Sequence, residues 1–484
     1  MVTRSSRNLR ANRWSLVSLA VMFGCLVAGI FLGDSPAAYT LPIHKVPAIP
    51  AFARKYGLPC SACHTAWPEL NAFGQVFRDN GYQLKNDRDS PIWQNPSYFP
   101  ITLRITPNWH RESTDHQPVD ADPAGDRITQ HAFDLSGMDF WSGGTLYNNI
   151  SFILLPSSDA TATFHFESAF VRFDDLLKTS WLNFKFGRFE LDNLISEKRF
   201  LFLSANGGIY QNYHFVPVGD SNNFGIGDNQ LGVELAGHSK NSYTRYGIAV
   251  LSSNEGGVGY TNVPNGAGPA NNATGRTYDT YLTFMQGFQA GSLGLQRLQG
   301  FVYIGQRPTI FNQTAGGVAI PGTGTGNKPF YRAGLQGDFY IGKLEILPFF
   351  QHGYDNVYLG TSTAANLPLP TGAKGPSWNG GFVETHYYVS PQLVFTQRVE
   401  FVRMSQQALP TNPSSLGNID AYSFGYRWYP IMFSRAGLAF HNEYSIVKSI
   451  GNLPLSLDGS GLPPATPTTP VWSSSAFVGF DFAF

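Results

Sequence analysis

Apolar and polar residues alternate with a period of two through most of this 484-residue chain, from about residue 95 to Phe484. Successive side chains of a β-strand point to opposite faces, so the pattern predicts strands with one apolar and one polar face. In one such segment the apolar face carries Tyr422, Phe424, Tyr426 and Trp428. Repeated segments of about 9–11 residues with this alternation are typical of a transmembrane β-barrel.

A soluble β-sandwich is the alternative, because its strands alternate in the same way. The polar face of one segment, however, carries both Arg398 and Glu400, opposite Phe395, Val399 and Phe401. Charges of both signs on an inner face, with large aromatic residues at both ends of strands, favour the barrel. The composition agrees, because only 14% of residues are charged while Phe, Tyr and Trp number 38, 23 and 9.

The predicted connections between strands are of two kinds. Short turns are expected at Gly342–Lys343 and Ser390–Pro391, and longer polar stretches are expected elsewhere, at about 112–128, 257–277, 311–329, 359–378, 406–419 and 452–471. Short turns at one end and long loops at the other are the asymmetry of an outer-membrane barrel. We therefore predict a mainly β fold over residues 95–484, a barrel of about 16 antiparallel strands preceded by a small α-helical segment.

Residues 1–37 are predicted to be a signal peptide. Arg4, Arg7, Arg10 and Arg13 precede an apolar run from about Ser15 to Leu32, and the small residues of Ser35-Pro36-Ala37 follow it. An uncleaved membrane anchor and a lipoprotein attached at Cys25 are the alternatives. A signal peptide implies export, here to the outer membrane of a bacterial cell.

The sequence Cys60-Ser61-Ala62-Cys63-His64 lies in the segment 38–90. C-x-x-C-H is the attachment signature of c-type haem, in which two thiols bind the haem vinyl groups and the histidine binds iron. A zinc site would need four ligands, and the only other cysteine is Cys25. A redox C-x-x-C pair needs no adjacent histidine. We therefore predict one covalent haem c, held by Cys60 and Cys63 with His64 as the proximal iron ligand.

The run from Pro68 to Tyr82 reads as a helix of about three turns after this motif. Residues spaced i, i+3, i+4 and i+7 share one helical face, and we expect that face to pack on the haem. Its members are Leu70, Phe73, Gly74 and Phe77. Gly81 is a plausible C-terminal stop. The segment is too short to enclose a haem by itself, so the barrel is expected to cover it.

The sixth iron ligand is not evident nearby, because no Met or His occurs between Thr65 and Trp109. His44 is the upstream candidate. The barrel region offers further candidates, which are His110, His131, His165, His441 and Met138. A five-coordinate iron is also open.

Several of these motif residues together resemble the fused monohaem cytochrome c–porin family of bacterial outer membranes. The resemblance lies in Pro50-Ala51-Phe52-Ala53-Arg54, Cys60–His64, Phe73-Gly74-Gln75-Val76-Phe77 and Gly81-Tyr82. It implies one haem in or at the mouth of the barrel. It also implies an oxidoreductase that takes electrons from extracellular Fe(II) and passes them to a periplasmic cytochrome or copper protein. The covalent and proximal roles are implied for Cys60, Cys63 and His64.

Two alternatives stay open, a cytochrome–porin with a donor other than iron and a solute porin whose haem segment acts as a plug. Arg54 and Lys55 could pair with haem propionates or be solvated. A group of side chains in the predicted 112–128 loop could capture Fe(II) or be solvated: Glu112, Asp115, His116, Asp120, Asp122 and Asp126. Balanced charge, with 33 basic and 33 acidic residues, disfavours nucleic acid as a partner. No G-x-S-x-G or phosphate-loop motif supports hydrolytic or phosphoryl-transfer chemistry.

Overall fold

The computed structural model describes residues 50–85, 89–91, 100–117, 126–158, 164–195, 229–252, 278–309, 314–315, 318–319, 326–355, 377–404, 418–433, 436–450 and 470–484. The predicted signal peptide and His44 lie outside these residues. No helix among the described residues is long and apolar enough to cross a membrane.

Within the described residues, three short helices precede the sheet: α1 (Pro50–Tyr56), α2 (Cys60–Cys63) and α3 (Ala72–Asp79). The prediction of a helix starting at Pro68 was wrong, because Asn71 caps α3. The side chain of Asn71 accepts a hydrogen bond from the Gly74 amide at 2.9 Å, which satisfies a free N–H of the first turn. Gly81 follows α3 with a φ of +78°, as expected for a residue that terminates a helix.

Sixteen antiparallel strands form one closed barrel, which confirms the predicted fold class. Their bounds are β1 (Ile101–Gln117), β2 (Asp126–Tyr147), β3 (Ile150–Ser158), β4 (Phe164–Phe173), β5 (Asn183–Glu190), β6 (Asn229–His238), β7 (Thr244–Ser252), β8 (Tyr278–Gln289), β9 (Leu295–Thr309), β10 (Gly326–Ile341), β11 (Leu344–Asp355), β12 (Ser377–Ser390), β13 (Leu393–Met404), β14 (Asn418–Phe433), β15 (Ala436–Ile450) and β16 (Pro470–Ala483). Outside the barrel, two strands of two residues each, Thr314–Ala315 and Val318–Ala319, pair as a short antiparallel hairpin.

The barrel closes where β16 pairs with β1. Phe484 and Leu103 exchange both main-chain hydrogen bonds, each 2.9 Å long. The last residue of the chain therefore takes part in closure, which leaves no open sheet edge between the first and last strands.

The alternation sorts side chains between the two faces of the wall as predicted. In β14 Phe424 and Trp428 face outward, each 46% exposed, whereas Ser423 and Arg427 are 1% exposed and face the lumen. The outer face is therefore apolar, the arrangement of a barrel surrounded by lipid, whereas the lumen carries buried polar side chains and also an apolar cluster that includes Phe301 and Phe349.

The two ends of the barrel differ in their connections. The longest connections follow odd-numbered strands, as at 253–277 and 356–376, whereas several connections after even-numbered strands have only two residues, as at 148–149 and 342–343. The turn predicted at Gly342–Lys343 is confirmed. The other predicted turn lies one residue later, at 391–392, because Ser390 still belongs to β12.

The loop predicted at about 112–128 was wrong at both its ends. Residues up to Gln117 continue β1, residues from Asp126 begin β2, and Glu112 pairs with Gln130 in the ladder between them. The lipid-facing apolar band of such a barrel is only about 25 Å tall. A strand that extends beyond this band has no apolar face there, so its sequence no longer alternates in the way that predicts a strand.

The helical segment lies in the lumen at the end with the short connections. The Ala51 amide donates to Thr102 Oγ1 at the start of β1, at 3.1 Å. Tyr429, near the end of β14, donates from its hydroxyl to the Trp67 carbonyl at 2.5 Å. Both partners face the lumen at the short-connection end of their strands, so the helices occupy that mouth of the barrel.

Candidate cofactor site

A cavity of about 730 Å³ lies between the helical segment and the inner wall of the barrel. Cys60, Cys63 and His64 all line it, so the structure brings the three C-x-x-C-H side chains to one space. The strands that face them carry lining residues such as Arg104 of β1 and Phe170 of β4. Cavities of this size are typical of cofactor and small-molecule sites.

The single turn of α2 places the two thiols on one side. Cys60 and Cys63 stand at i and i+3, positions that are neighbours on a helix surface, and neither is part of a disulfide among the described residues. The His64 amide closes the turn by donating to the Cys60 carbonyl at 2.9 Å. Burial raises the pKa of the Cys63 thiol to about 11, so that thiol is protonated at neutral pH.

The His64 ring is held by two main-chain carbonyls. Its Nδ1 lies 3.1 Å from the carbonyl oxygens of both Pro68 and Glu69. Because a carbonyl can only accept, Nδ1 carries the proton and the lone pair lies on Nε2. Burial, opposed by these hydrogen bonds, lowers the pKa of His64 to about 4. A neutral imidazole oriented in this way is a prepared metal ligand.

Asn71 joins α3 to α2. Its side-chain nitrogen donates to the carbonyls of Ser61 and Ala62, each at 3.1 Å, while its oxygen caps α3. Gly74 then lies directly against Cys63, with no room for a Cβ between them. The two helices therefore form one compact unit around the cysteines.

Of the four residues predicted to share a packing face, Leu70, Gly74 and Phe77 line the cavity. Phe77 is 6% exposed. Phe73 is 43% exposed and is not among the lining residues.

An aromatic group that the sequence analysis did not identify as a site completes the wall. Phe52 stacks on Tyr82 with ring centroids 5.2 Å apart and meets Phe77 edge to face at 5.3 Å. Tyr56 is 1% exposed and donates from its hydroxyl to Asp89 Oδ1 at 2.8 Å. Phe52 and Tyr56 are spaced i, i+4 in α1, a signal that could have predicted a shared helical face.

The end of α3 enters a buried group of charges on the same cavity. Asp79 pairs with Arg245 of β7, whose Nε lies 3.2 Å from Oδ2, and Arg78 pairs with Asp192 at 3.1 Å. Arg172 donates to the Asp79 carbonyl at 2.7 Å. Burial acts to raise the pKa of Asp79, but Arg245 and Arg78 outweigh it, so the pKa of this carboxyl lies well below its usual range.

Among the candidate sixth ligands only His165 lines the cavity. His110, His131, Met138 and His441 do not, and His44 is outside the described residues. His238 also lines the cavity, although the sequence analysis did not select it. It is 4% exposed, its Nδ1 lies 2.9 Å from the Ser239 carbonyl, and its Nε2 has no hydrogen-bond partner among the described residues.

Arg54 and Lys55 fasten the segment to the barrel. Arg54 donates to the Ile101 carbonyl at 2.7 Å. Lys55, 8% exposed, donates to Thr145 Oγ1 at 3.1 Å. Burial lowers the pKa of Lys55, and the charge of Asp89 opposes this effect. Lys55 is therefore not the solvated side chain that was one of its two expectations.

The structure describes only some of the residues considered for Fe(II) capture. Glu112 and Asp115 lie on β1 and Asp126 begins β2, while Asp120 and Asp122 fall outside the described residues. Asp115 forms an ion pair with Arg127.

No protein-family model matches the sequence, and no curated protein matches it. Solved structures with a similar fold include an anion-selective porin from Comamonas acidovorans, at 11% identity and a TM-score of 0.48, covering 79% of this chain and 98% of that one. OprB from Pseudomonas putida has 9% identity and a TM-score of 0.46, covering 80% of this chain and 94% of that one. OmpF from Salmonella typhi, in complex with daunomycin, has 10% identity and a TM-score of 0.44, covering 79% and 97%.

Proposed function

We propose that this chain is an outer-membrane c-type cytochrome–porin that passes electrons from extracellular Fe(II) to an electron carrier in the periplasm. The observation that carries the proposal is the position of Cys60, Cys63 and His64. All three side chains line one cavity inside the barrel, where the wall can cover a cofactor that the short helices cannot enclose.

The outer face of the barrel supports a membrane location. Large apolar side chains project from it along the strands, such as Phe284 at 54%, Leu335 at 57% and Val478 at 51% exposure. An apolar exterior of this extent would be unfavourable in water, and lipid is the medium that removes the cost. Bacterial barrels of this kind lie in the outer membrane.

The side chains around the cavity fit a covalent haem. Cys60 and Cys63 would form the thioethers and His64 Nε2 would bind the iron, because its Nδ1 is already committed to carbonyls. The aromatic wall suits an apolar macrocycle. When bound, the haem supplies one-electron chemistry at a fixed place in the barrel.

The orientation follows from the connections between strands. Short turns face the periplasm in outer-membrane barrels, and long loops face outward. The helical segment occupies the short-connection end, so Cys60–His64 would lie near the periplasmic face. A soluble periplasmic cytochrome or copper protein docking there would be the acceptor, and extracellular Fe(II) would approach through the lumen.

Stopped-flow absorbance tests the donor. Oxidised, purified protein is mixed with Fe(II) while the haem α-band is followed, and we expect reduction at a rate that rises with Fe(II) concentration. A haem that stays oxidised with Fe(II) at acidic and neutral pH, yet is reduced by dithionite, contradicts iron as the donor and leaves a cytochrome–porin with another donor.

The solute-porin alternative has a separate test. The helices contact strands round the barrel, so we expect a planar bilayer containing the protein to show little conductance. A large, steady open-channel conductance that is the same in Cys60→Ala would favour the solute porin.

A further inference from the structure

A second group of buried ionisable side chains surrounds His386 on the lumen side of β12. Glu69, Glu345 and His386 each offer one possible ligand atom, and these atoms all lie within 4.8 Å of one another. It is the one set of three such ligands found within the described ranges. Glu345 and His386 are each 1% exposed, and the Glu69 side chain is 12% exposed. Neither Glu345 nor His386 lines the cavity of Cys60–His64.

A carboxylate on its far side orients the His386 ring. Its Nε2 lies 2.6 Å from Glu384 Oε1, so Nε2 donates to that carboxylate. Its Nδ1 lies 2.8 Å from Glu345 Oε2 and 3.1 Å from Glu69 Oε2. A histidine that donates from one nitrogen to a carboxylate, and presents the other to further ligands, is the usual arrangement at protein metal sites.

The carboxylate oxygens of Glu69 and Glu345 outnumber the tyrosine hydroxyl protons that can be donated to them. Tyr388 has one hydroxyl proton, yet its oxygen lies 2.6 Å from Glu345 Oε2 and 2.8 Å from Glu69 Oε2. Tyr340 donates to the other oxygen of Glu345 at 2.7 Å. Two buried carboxylates that share so few donors are costly unless a cation neutralises them, either a protonated His386 or a bound metal ion.

Asp338 adds a third buried carboxylate beside Glu345. It is 5% exposed and lies diagonally across the β10–β11 ladder from Glu345, on the lumen face. Its Oδ2 pairs with Arg297 at 2.8 Å, but its Oδ1 has no hydrogen-bond partner among the described residues. Arg398 of β13 lies 3.4 Å from Glu384 and 3.6 Å from Glu400.

We propose that Glu69, Glu345 and His386 bind one divalent first-row transition metal ion, and that ferrous iron is the ion they bind in the working protein. Two carboxylates and one imidazole suit Fe(II) and Mn(II), with Tyr340 and Tyr388 supporting the carboxylates. The choice of iron rests on the proposed function. The metal site itself rests on the cluster.

Glu69 links this cluster to the C-x-x-C-H motif. Its side chain belongs to the cluster, while its main-chain carbonyl accepts the hydrogen bond from His64 Nδ1 at 3.1 Å. The residue that would bind the metal ion through its side chain is therefore also the residue whose carbonyl helps to orient the His64 ring. Glu69 follows His64 by only five residues, so the connection is short through the chain as well.

Binding of Mn(II), which is not oxidised under the conditions used, tests the site directly. The detergent-solubilised full chain is titrated with Mn(II), and electron paramagnetic resonance follows the loss of the free-ion signal. We expect one bound ion per wild-type chain. Affinity should fall at least about tenfold in Glu345→Gln and in His386→Gln. The matched control is Glu443→Gln, a buried carboxylate that pairs with His441 but belongs to no set of three ligands in the described strands.

Two results would overturn the proposed metal site. One is that the wild-type protein binds no Mn(II), and the other is that Glu345→Gln, His386→Gln and Glu69→Gln all bind Mn(II) as tightly as the wild type. The cluster would then hold only protons. Heat-modifiable migration in gels verifies that each variant has assembled its barrel, and Glu69→Gln leaves the wall strands intact.

Fe(II) stopped-flow separates the two proposals. Equal haem reduction in wild type and Glu345→Gln removes the iron site alone, whereas Mn(II) binding without reduction by Fe(II) removes the donor assignment alone.

Discussion

Gly74 lies against the main-chain carbonyl of Cys63, with no space for a side chain between α3 and α2. This contact brings the start of α3 onto the turn that carries both cysteines. Asn71 reinforces it by donating to two carbonyls of α2 while capping α3. The geometry of the C-x-x-C-H turn therefore depends on a helix that begins eight residues after its histidine.

Gly74→Val should separate the two helices and reduce haem attachment. Overpacking a closely fitted contact costs about 1–3 kcal/mol, and here the opposing atom is main-chain oxygen that cannot rotate away. We expect a lower ratio of covalent haem to protein in a pyridine haemochrome assay. Gly57→Asn is the control, because Gly57 has open space around it and a φ of +64° that Asn tolerates. Equal haem content in all three proteins would contradict the prediction.

Cys60→Ala combined with Cys63→Ala should abolish covalent haem while the barrel still assembles. Neither thiol forms a disulfide within the part of the chain that the structure describes, so their loss removes no cross-link from the wall. A haem stain on a denaturing gel reports the covalent bond, and heat-modifiable migration reports the barrel. Cys25→Ala, within the predicted signal peptide, should keep the stain. Retention of stain in the double variant would rule out the attachment site.

Asp79→Asn should loosen α3 at neutral pH. The substitution removes a partner of Arg245 and Arg78, and leaving a buried charge unpaired costs up to about 3–5 kcal/mol, reduced here because Asp192 also faces both arginines. Faster amide hydrogen exchange across 72–82 would report this loosening. Exchange as slow as in wild type would show that the pairing contributes nothing.

The ionisation of Asp79 also predicts how the packing of α3 against the barrel depends on pH. The folded pKa of Asp79 lies well below its unfolded value of about 3.9, so its stabilisation is complete above that value and is lost as pH falls through the folded pKa. Exchange protection of 72–82, corrected for intrinsic rates, should hold from pH 7 to about pH 4 and fall only in stronger acid. Asp79→Asn should lack this acid-dependent contribution. A loss of wild-type protection between pH 7 and 5 would disagree with the ion pair.

Leu335→Lys should impair membrane assembly of the barrel. Leu335 lies in the middle of β10 on the outer face, where a lysine in lipid costs about 2–4 kcal/mol. The fraction of folded protein after refolding into lipid vesicles measures the effect. Leu177→Lys is a matched control, because Leu177 is 87% exposed but lies in the β4–β5 connection. Equal losses in both variants would argue against lipid around β10.

The strands were predictable because their alternation is a local property of the sequence. The segment Tyr422–Trp428 shows both faces within seven residues, and the wall sorts them as expected. Where the strands extend past the apolar band, as at Glu112, the outward face is polar and the signal disappears. Helix α3 was misplaced at its start because Pro68 and Asn71 are both residues that favour helix N-termini, and only the hydrogen bond to Gly74 distinguishes them.

The C-x-x-C-H motif was recognisable because its ligands are contiguous. The group at His386 was not, since Glu69, Glu345 and His386 come from a loop and two strands far apart in sequence. A single sequence gives no indication that one glutamate after the motif meets two side chains of the wall. His238 was overlooked for the same reason, because its place on the cavity depends on how the barrel closes.

The helices occupy the short-connection mouth of the barrel, so a dissolved ion has to pass them to cross it. An ion that comes from the long-loop end would reach Cys60–His64 only after crossing most of the lumen. Under the proposed function, electrons from Fe(II) pass to the periplasm while the iron itself stays on the extracellular side of the helices. The insoluble ferric product would then form outside the cell envelope.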